Sequence, residues 1–429
     1  MKSVGRWLAI ASVLLGACTS GPAAVTTPTA SVSGVVTTPG AAGPAVASGP
    51  LKIGILVPFT ESAIDADEGA SQRRAADLYV KLQGGKLGGR DVQLVYNDES
   101  ALDPDTNRVR IEQFLKQDRV DLLLGGLADP AAVLLRDAAD AAQVMYIDTN
   151  ATLNELTRAT SPCTPTCRSA YVFRATLDAW QMSEPLGEWV AKTGRKDAYA
   201  VYADDTFGAE SEAAFAEGLG KNGGAITGKA SVAPKSGADW GKIVAAIKAQ
   251  PAKTVFAAFV TDDAAGFINA WAAAGMIAAG YRLFGPGPLT DSEVLKATKQ
   301  AAAGATTAFS WSEQIDNAEN KAFVDAFAKA YTDEDTGRPL VPDGYAVEMW
   351  DAMRALDTAL KATKGDATAS ALAPALSAAA VKTPSGDFAL DASTHAATLD
   401  VYIREVRAAG TAFVNAIVDR VPSVIDAGR

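Results

Sequence analysis

The sequence predicts an α/β protein built from two doubly wound lobes. Three observations carry that prediction. From residue 51 onward, short continuous apolar runs alternate with longer helical patterns, as in parallel sheets covered on both faces. The alternation comes as two successive βαβα units of similar size. About 380 residues follow residue 50, which suits two domains of ordinary size.

In the first unit, 52–57, 92–96, 120–124 and 144–147 read as buried strands. Segments 68–83 and 104–116, and one starting near Pro130, read as helices, the first ended by Gly84 and Gly85. In the second unit, 198–202, 225–232, 254–260 and 281–284 read as strands, and 209–221, 239–249 and 264–274 as helices. Beyond Trp311 come two long helical patterns, 319–331 and 345–361. The last stretches, 388–390, 399–406 and 413–421, alternate like antiparallel strands.

The N-terminus has a different character. Lys2 and Arg6 precede an apolar stretch over 7–15, the length of a signal-peptide core and too short to span a bilayer. Leu15-Gly-Ala-Cys18 follows and resembles the lipobox of bacterial lipoproteins. The resemblance implies cleavage after residue 17, acylation of Cys18 and export; the alternative is an ordinary signal peptide with a chance cysteine. Residues 19–50 are rich in Ala, Gly, Pro, Ser, Thr and Val and carry no charge. Such a segment buries too little apolar surface to offset its ordering entropy, and 18–50 reads as a tether.

Composition excludes some functions. A net charge of −11 is wrong for nucleic acid. No later run is apolar and long enough to span a membrane. Of three cysteines, Cys163 and Cys167 share one Pro-containing loop. Outside the cytoplasm such a pair reads as a disulfide. A zinc site is the rival reading, but it wants about four ligands and His395 is the one histidine. Neither metal nor cofactor is expected. With His395 placed in a surface turn, no Ser-His or Cys-His pair is available, and the chain is not expected to be an enzyme.

An ordered set of motifs supports a family resemblance. Ile53-Gly-Ile-Leu-Val-Pro58 is followed by Gly84-Gly-Lys-Leu-Gly-Gly-Arg90 and Val92-Gln-Leu-Val-Tyr-Asn-Asp98. Then come Leu122-Leu-Leu-Gly125, Tyr171-Val-Phe-Arg174, Asp204-Asp-Thr-Phe-Gly208 and Gly344-Tyr-Ala-Val-Glu-Met-Trp-Asp-Ala352. In order and spacing these resemble the Leu/Ile/Val-binding, type I periplasmic solute-binding proteins. The resemblance implies two lobes joined by three hinge crossings, with 51–174 and 310–384 in one lobe, 175–309 and 385–421 in the other, and 422–429 as a tail. It further implies a monomer that holds a small organic solute, amino-acid-like, amide or aromatic and apolar, between the lobes and delivers it to an ABC permease and its ATPase. An envelope sensor or interaction lipoprotein that reuses the fold is the alternative.

Ligands of open parallel sheets sit at strand carboxyl ends. Here those are the loops 59–62, 127–130, 148–152, 204–207, 261–263 and 285–290, which make Thr60 and Thr261 candidates. The family resemblance puts Asp129 where amino-acid-binding members have a serine, Asn150 and Thr152 where a carbonyl and a threonine contact the ligand, Phe207 at a tyrosine, and Gly287 at the acid that holds the ligand's ammonium. Asp129 before Pro130 also reads as a helix cap. Trp180 is either a cleft wall or a core residue of the following helix. The pairs Asp204-Asp205 and Asp262-Asp263 read as a cation site or as loop ends and caps. With an acid at 129 and no side chain at 287, a free branched-chain amino acid is not the expected ligand; a flatter or more apolar solute, neutral or cationic, is.

Overall fold

The computed structural model describes residues 49–60, 62–158, 168–333 and 336–428. The signal segment, Cys18 and nearly all of the tether lie outside the described residues, as do Cys163 and Cys167. Among the described residues, no helix is long and apolar enough to cross a membrane.

The first sheet contains β1 (Leu51–Val57), β2 (Lys86–Leu87), β3 (Arg90–Asp98), β4 (Leu122–Gly125), β5 (Met145–Asp148) and β6 (Val172–Arg174), in the order β2-β3-β1-β4-β5-β6. β1, β4, β5 and β6 are almost wholly buried, because helices cover both faces. All pairings are parallel except the short β2–β3 hairpin. α1 (Ala63–Leu82) starts earlier than the pattern at 68 predicts, with the Ser62 hydroxyl accepting from the Asp65 N–H. Its first turns carry Asp65, Asp67 and Glu68, which mask the apolar period. α2 (Pro104–Glu112) runs into a π-helical turn over Gln113–Asp118, and α3 (Asp129–Ala142) follows β4.

The second lobe follows through α4 (Ala179–Lys192), β7 (Asp197–Ala203), α5 (Thr206–Lys221), β8 (Ala225–Val232), α6 (Trp240–Lys248), β9 (Thr254–Ala258), α7 (Thr261–Ala273), β10 (Arg282–Pro286), α8 (Ser292–Thr298) and β11 (Thr306–Phe309). Next are α9 (Ala318–Ala330), α10 (Gly344–Ala362), α11 (Ala369–Ser377), β12 (Ala380–Thr383), β13 (Gly386–Leu390), β14 (Ala397–Ala409) and β15 (Ala412–Val424). The second sheet runs β12-β13-β14-β11-β10-β9-β7-β8, with β15 on β14. Strands β7 to β11 are parallel, and β14 closes antiparallel on β11 with Thr306 opposite Glu405. β12 therefore belongs with the second sheet, and β15 continues into the segment read as a tail.

The chain passes between the two sheets after β6, again after β11, where α10 returns to pack on α1, and finally on the way to β12. Both sheets lie in one unit, Val46–Arg429. α4 and α5 pack in close backbone contact. A Cβ on Gly187 would stand 2.2 Å from the Phe215 carbonyl oxygen, and one on Gly218 would stand 1.9 Å from that of Glu184. Phe215 of α5 stacks on Phe256 of β9 at 4.3 Å between centroids, which fixes α5 over the second sheet.

His395 is not in a free surface turn. It stacks on Phe173 at 4.1 Å, its Nδ1 lies 3.1 Å from the Val172 carbonyl oxygen, and its own carbonyl accepts from the Arg174 N–H. It joins the turn before β14 to β6, beside the first passage.

Candidate functional site

The carboxyl ends of both parallel sheets open onto one cleft of about 420 Å³. From the first lobe it is lined by the loops after β1, β3, β4 and β5 and by α1; from the second by the loops after β7, β8, β9 and β10. The apolar lining comes from Leu102, Leu127, Val133, Phe207 and Val260.

Five of the residues singled out in the sequence meet here: Asp129, Asn150, Thr152, Phe207 and Thr261. Asp129 does not cap its own helix. Ala128 is the cap residue, and the Asp129 carboxylate reaches across to accept the N–H groups of Thr152 at 2.9 Å and Leu153 at 3.1 Å. Burial raises its pKa to about 6, against the opposing pull of those two N–H groups and of Arg174. The Asn150 side chain turns toward α10 and donates to Glu348 at 2.8 Å. The Thr152 carbonyl accepts the first N–H of α4, and among the described residues no protein group hydrogen-bonds its hydroxyl. Phe207 presents a buried ring from the first turn of α5, and Thr261, at φ 48°, opens α7.

Three candidates lie elsewhere. The Thr60 hydroxyl donates to Asp98, which also holds the Phe59 N–H, so it stays at the end of β3. Trp180 sits on α4 facing α5: its Nε1 donates to Glu217 at 3.2 Å, and Arg158 and Lys221 lie over its ring. Gly287 is walled off by Phe309, whose ring would meet an added Cβ at 2.3 Å, so no acidic side chain fits there. Of the aspartate pairs, Asp205 caps α5, accepting from the Gly208 N–H at 2.8 Å, while Asp263, in the first turn of α7, accepts from the Lys235 N–H of the loop after β8 at 2.8 Å. Among the described residues no group of His, Cys, Asp or Glu is arranged to hold a metal ion.

The structure adds residues that the sequence did not point to. Glu99, just past β3, accepts the N–H groups of Leu127 at 2.8 Å and Ala128 at 2.7 Å, and burial pushes its pKa up to about 8. Glu68 of α1 is buried beside Tyr345, and burial together with Asp65 raises its pKa well above the ordinary range. Lys235, in the loop after β8, crosses the cleft to Asp65 with an N–O distance of 2.9 Å. Glu210 of α5 accepts the Asn154 N–H at 2.7 Å, a second link between lobes. Asp148 holds the Ala151 N–H at 3.0 Å and is raised to about 7 by burial, with Arg174 opposing. Counting the loops after β3 and β8 among the strand ends would have found Glu99 and Lys235; nothing in the sequence pairs these carboxylates with particular N–H groups.

Known proteins share this architecture. A solute-binding protein of an R. palustris ABC transporter, solved with benzoate, is 31% identical, with a TM-score of 0.78 over 89% of this chain and 99% of that one. A second, from Rhodopseudomonas palustris BisB5 with 3,4-dihydroxybenzoic acid, is 26% identical with a TM-score of 0.79 over 88% and 99%. A Leu/Ile/Val-binding protein homolog 6 from Brucella suis is 27% identical over 357 residues, 83% of this chain and 87% of that protein. The model of the periplasmic binding protein family matches residues 50–411, from the first strand to the turn before the last. Neither lobe falls outside that match, so the chain belongs to the periplasmic binding protein family and takes its solute in the cleft between the lobes.

Proposed function

We propose that the protein captures a small organic solute outside the cytoplasm and delivers it to a membrane permease driven by an ATPase, with no chemistry on the solute. The observation that carries this reading is the open cleft of about 420 Å³ between the carboxyl ends of two sheets. That volume falls within the range of roughly 300–1,000 Å³ typical of small-molecule sites. An interaction protein that had given up solute would be expected to fill this space with its own side chains. The benzoate and dihydroxybenzoate held by the two R. palustris proteins are of a size this cleft admits. Phe207, Leu127, Val133 and Val260 offer apolar contact to the body of such a solute, and the Thr152 hydroxyl offers a polar one.

In this reading Cys18 carries a lipid, 18–50 holds the folded body off the membrane, and the protein works as a monomer. A solute touching both lobes favours their closure over the hinges. The test is a thermal-shift panel of amines, amides, amino acids and aromatic acids on the purified protein, with small-angle scattering on any solute that raises Tm. A binder that also lowers the radius of gyration is expected. A panel that leaves Tm unchanged throughout would remove the proposal.

A further inference from the structure

From the way the first lobe spends its backbone donors, we infer that the solute presents nitrogen N–H groups to this lobe, as an amine, amidine or amide, and not a carboxylate. The inference rests on the solute-binding reading above and specifies its ligand class.

Loops at strand carboxyl ends and helix N-termini are suited to anions because their N–H groups lack internal partners. On the first-lobe side of this cleft the chain's own carboxyl groups have taken several of those groups. Glu99 holds the N–H groups of Leu127 and Ala128 at the approach to α3. Asp129 holds those of Thr152 and Leu153 after β5. Asp148 holds Ala151, and Glu210, from the other lobe, holds Asn154. On the second lobe Asp205 takes the Gly208 N–H at the start of α5. An incoming carboxylate would find these donors occupied, and beside Thr152 and Leu153 it would also meet the Asp129 carboxylate.

The side chains point the same way. Among the described residues lining the cleft, seven are acids and one is a base. The base is Lys235, already paired with Asp65. What the first lobe leaves for a solute includes two acceptors: the second oxygen of Asp129, to which no protein group donates among the described residues, and the hydroxyl of Thr152. A donor-bearing nitrogen on an apolar or aromatic body fits that set. A buried anion beside the Asp129 carboxylate does not, because burying like charges together disfavours the charged form of each.

The test uses three probes of one shape and different charge: benzamidine, benzamide and benzoate, titrated calorimetrically into the purified protein near neutral pH. Benzamidine or benzamide is expected to bind at least about tenfold more tightly than benzoate, as expected from one charge-assisted hydrogen bond. Asp129→Ser, which releases the Thr152 and Leu153 N–H groups and removes one charge, should narrow the benzoate-to-benzamide ratio by a similar factor. Benzoate as the tightest probe, or a ratio unmoved by Asp129→Ser, overturns the inference. If none of the three binds, the charge of whichever solutes bind in the wider panel decides it: amines and amides support it, carboxylates alone overturn it while leaving solute binding intact. A panel with no binder removes both readings.

Discussion

Asp129→Asn isolates what a buried carboxylate contributes at the edge of the cleft. The Asp129 carboxylate accepts two N–H groups, yet burial lifts its pKa from 3.8 to about 6. A carboxyl with a raised folded-state pKa keeps its proton in the native protein where the unfolded chain has lost it. Its contribution is therefore largest below the unfolded value and is lost as pH rises through the folded one. A rise of about two units corresponds to on the order of 3 kcal/mol, at about 1.36 kcal/mol per unit. Asparagine keeps an accepting oxygen and cannot ionise. The variant's stability deficit should therefore shrink by on the order of 2–3 kcal/mol between about pH 4.5 and about pH 8. Urea denaturation followed by tryptophan fluorescence at the two pH values measures it. A deficit that grows with pH would mean that the two N–H bonds outweigh burial, and the reasoning would fail.

Further predictions concern packing, the cleft and the outer loop. Gly218→Ala should cost at least about 1–3 kcal/mol, since its Cβ meets the Glu184 backbone at 1.9 Å; Gly220→Ala, with nothing within 4 Å on the same helix, should be neutral or slightly stabilising. Equal effects in urea denaturation would refute the close-approach argument. Lys235→Met removes an ion pair across the cleft, worth up to about 1 kcal/mol where it is partly exposed, and should raise the radius of gyration of the unliganded protein in scattering; no change counts against a latch. Cys163 and Cys167 should both be absent from a thiol count on unreduced, denatured protein. Two titratable thiols there would exclude the pairing.

The central strands were legible because β1, β4, β5 and β9 are buried on both faces and so appear as uninterrupted apolar runs. β2 and β6 were not, since two or three residues are too few to show a pattern, and in β11 two threonines replace the start of an apolar run. α4 was read only as a helix around Trp180, without bounds, because Pro185 and Gly187 break the local helical pattern, and Gly187 makes sense only against α5. At the site, the residue types at 129, 150 and 152 were readable, but their partners were not. Asp129 binds backbone N–H groups some twenty residues away, and a backbone N–H leaves no mark in the sequence. Gly287 illustrates the opposite case. Its lack of a side chain looked like a lost ligand contact, whereas the Phe309 ring fills the space and makes the glycine a packing requirement.

Glu348 binds two things at once. From α10, after the second passage between sheets, it accepts both the Asn150 side chain at the cleft and the Thr176 hydroxyl in the first passage. One buried acid thus ties Asn150, a residue of the cleft wall, to the first passage between the lobes, the joint of the proposed closure. A substitution at Asn150 that suits a new solute would also retune the joint, so recognition and motion cannot be adjusted separately on that side. The opposite wall has no such tie in Phe207 and Val260, which line the cleft with apolar side chains alone. Divergence of solute preference in this lineage, natural or engineered, should therefore begin in the second lobe and leave the first nearly fixed.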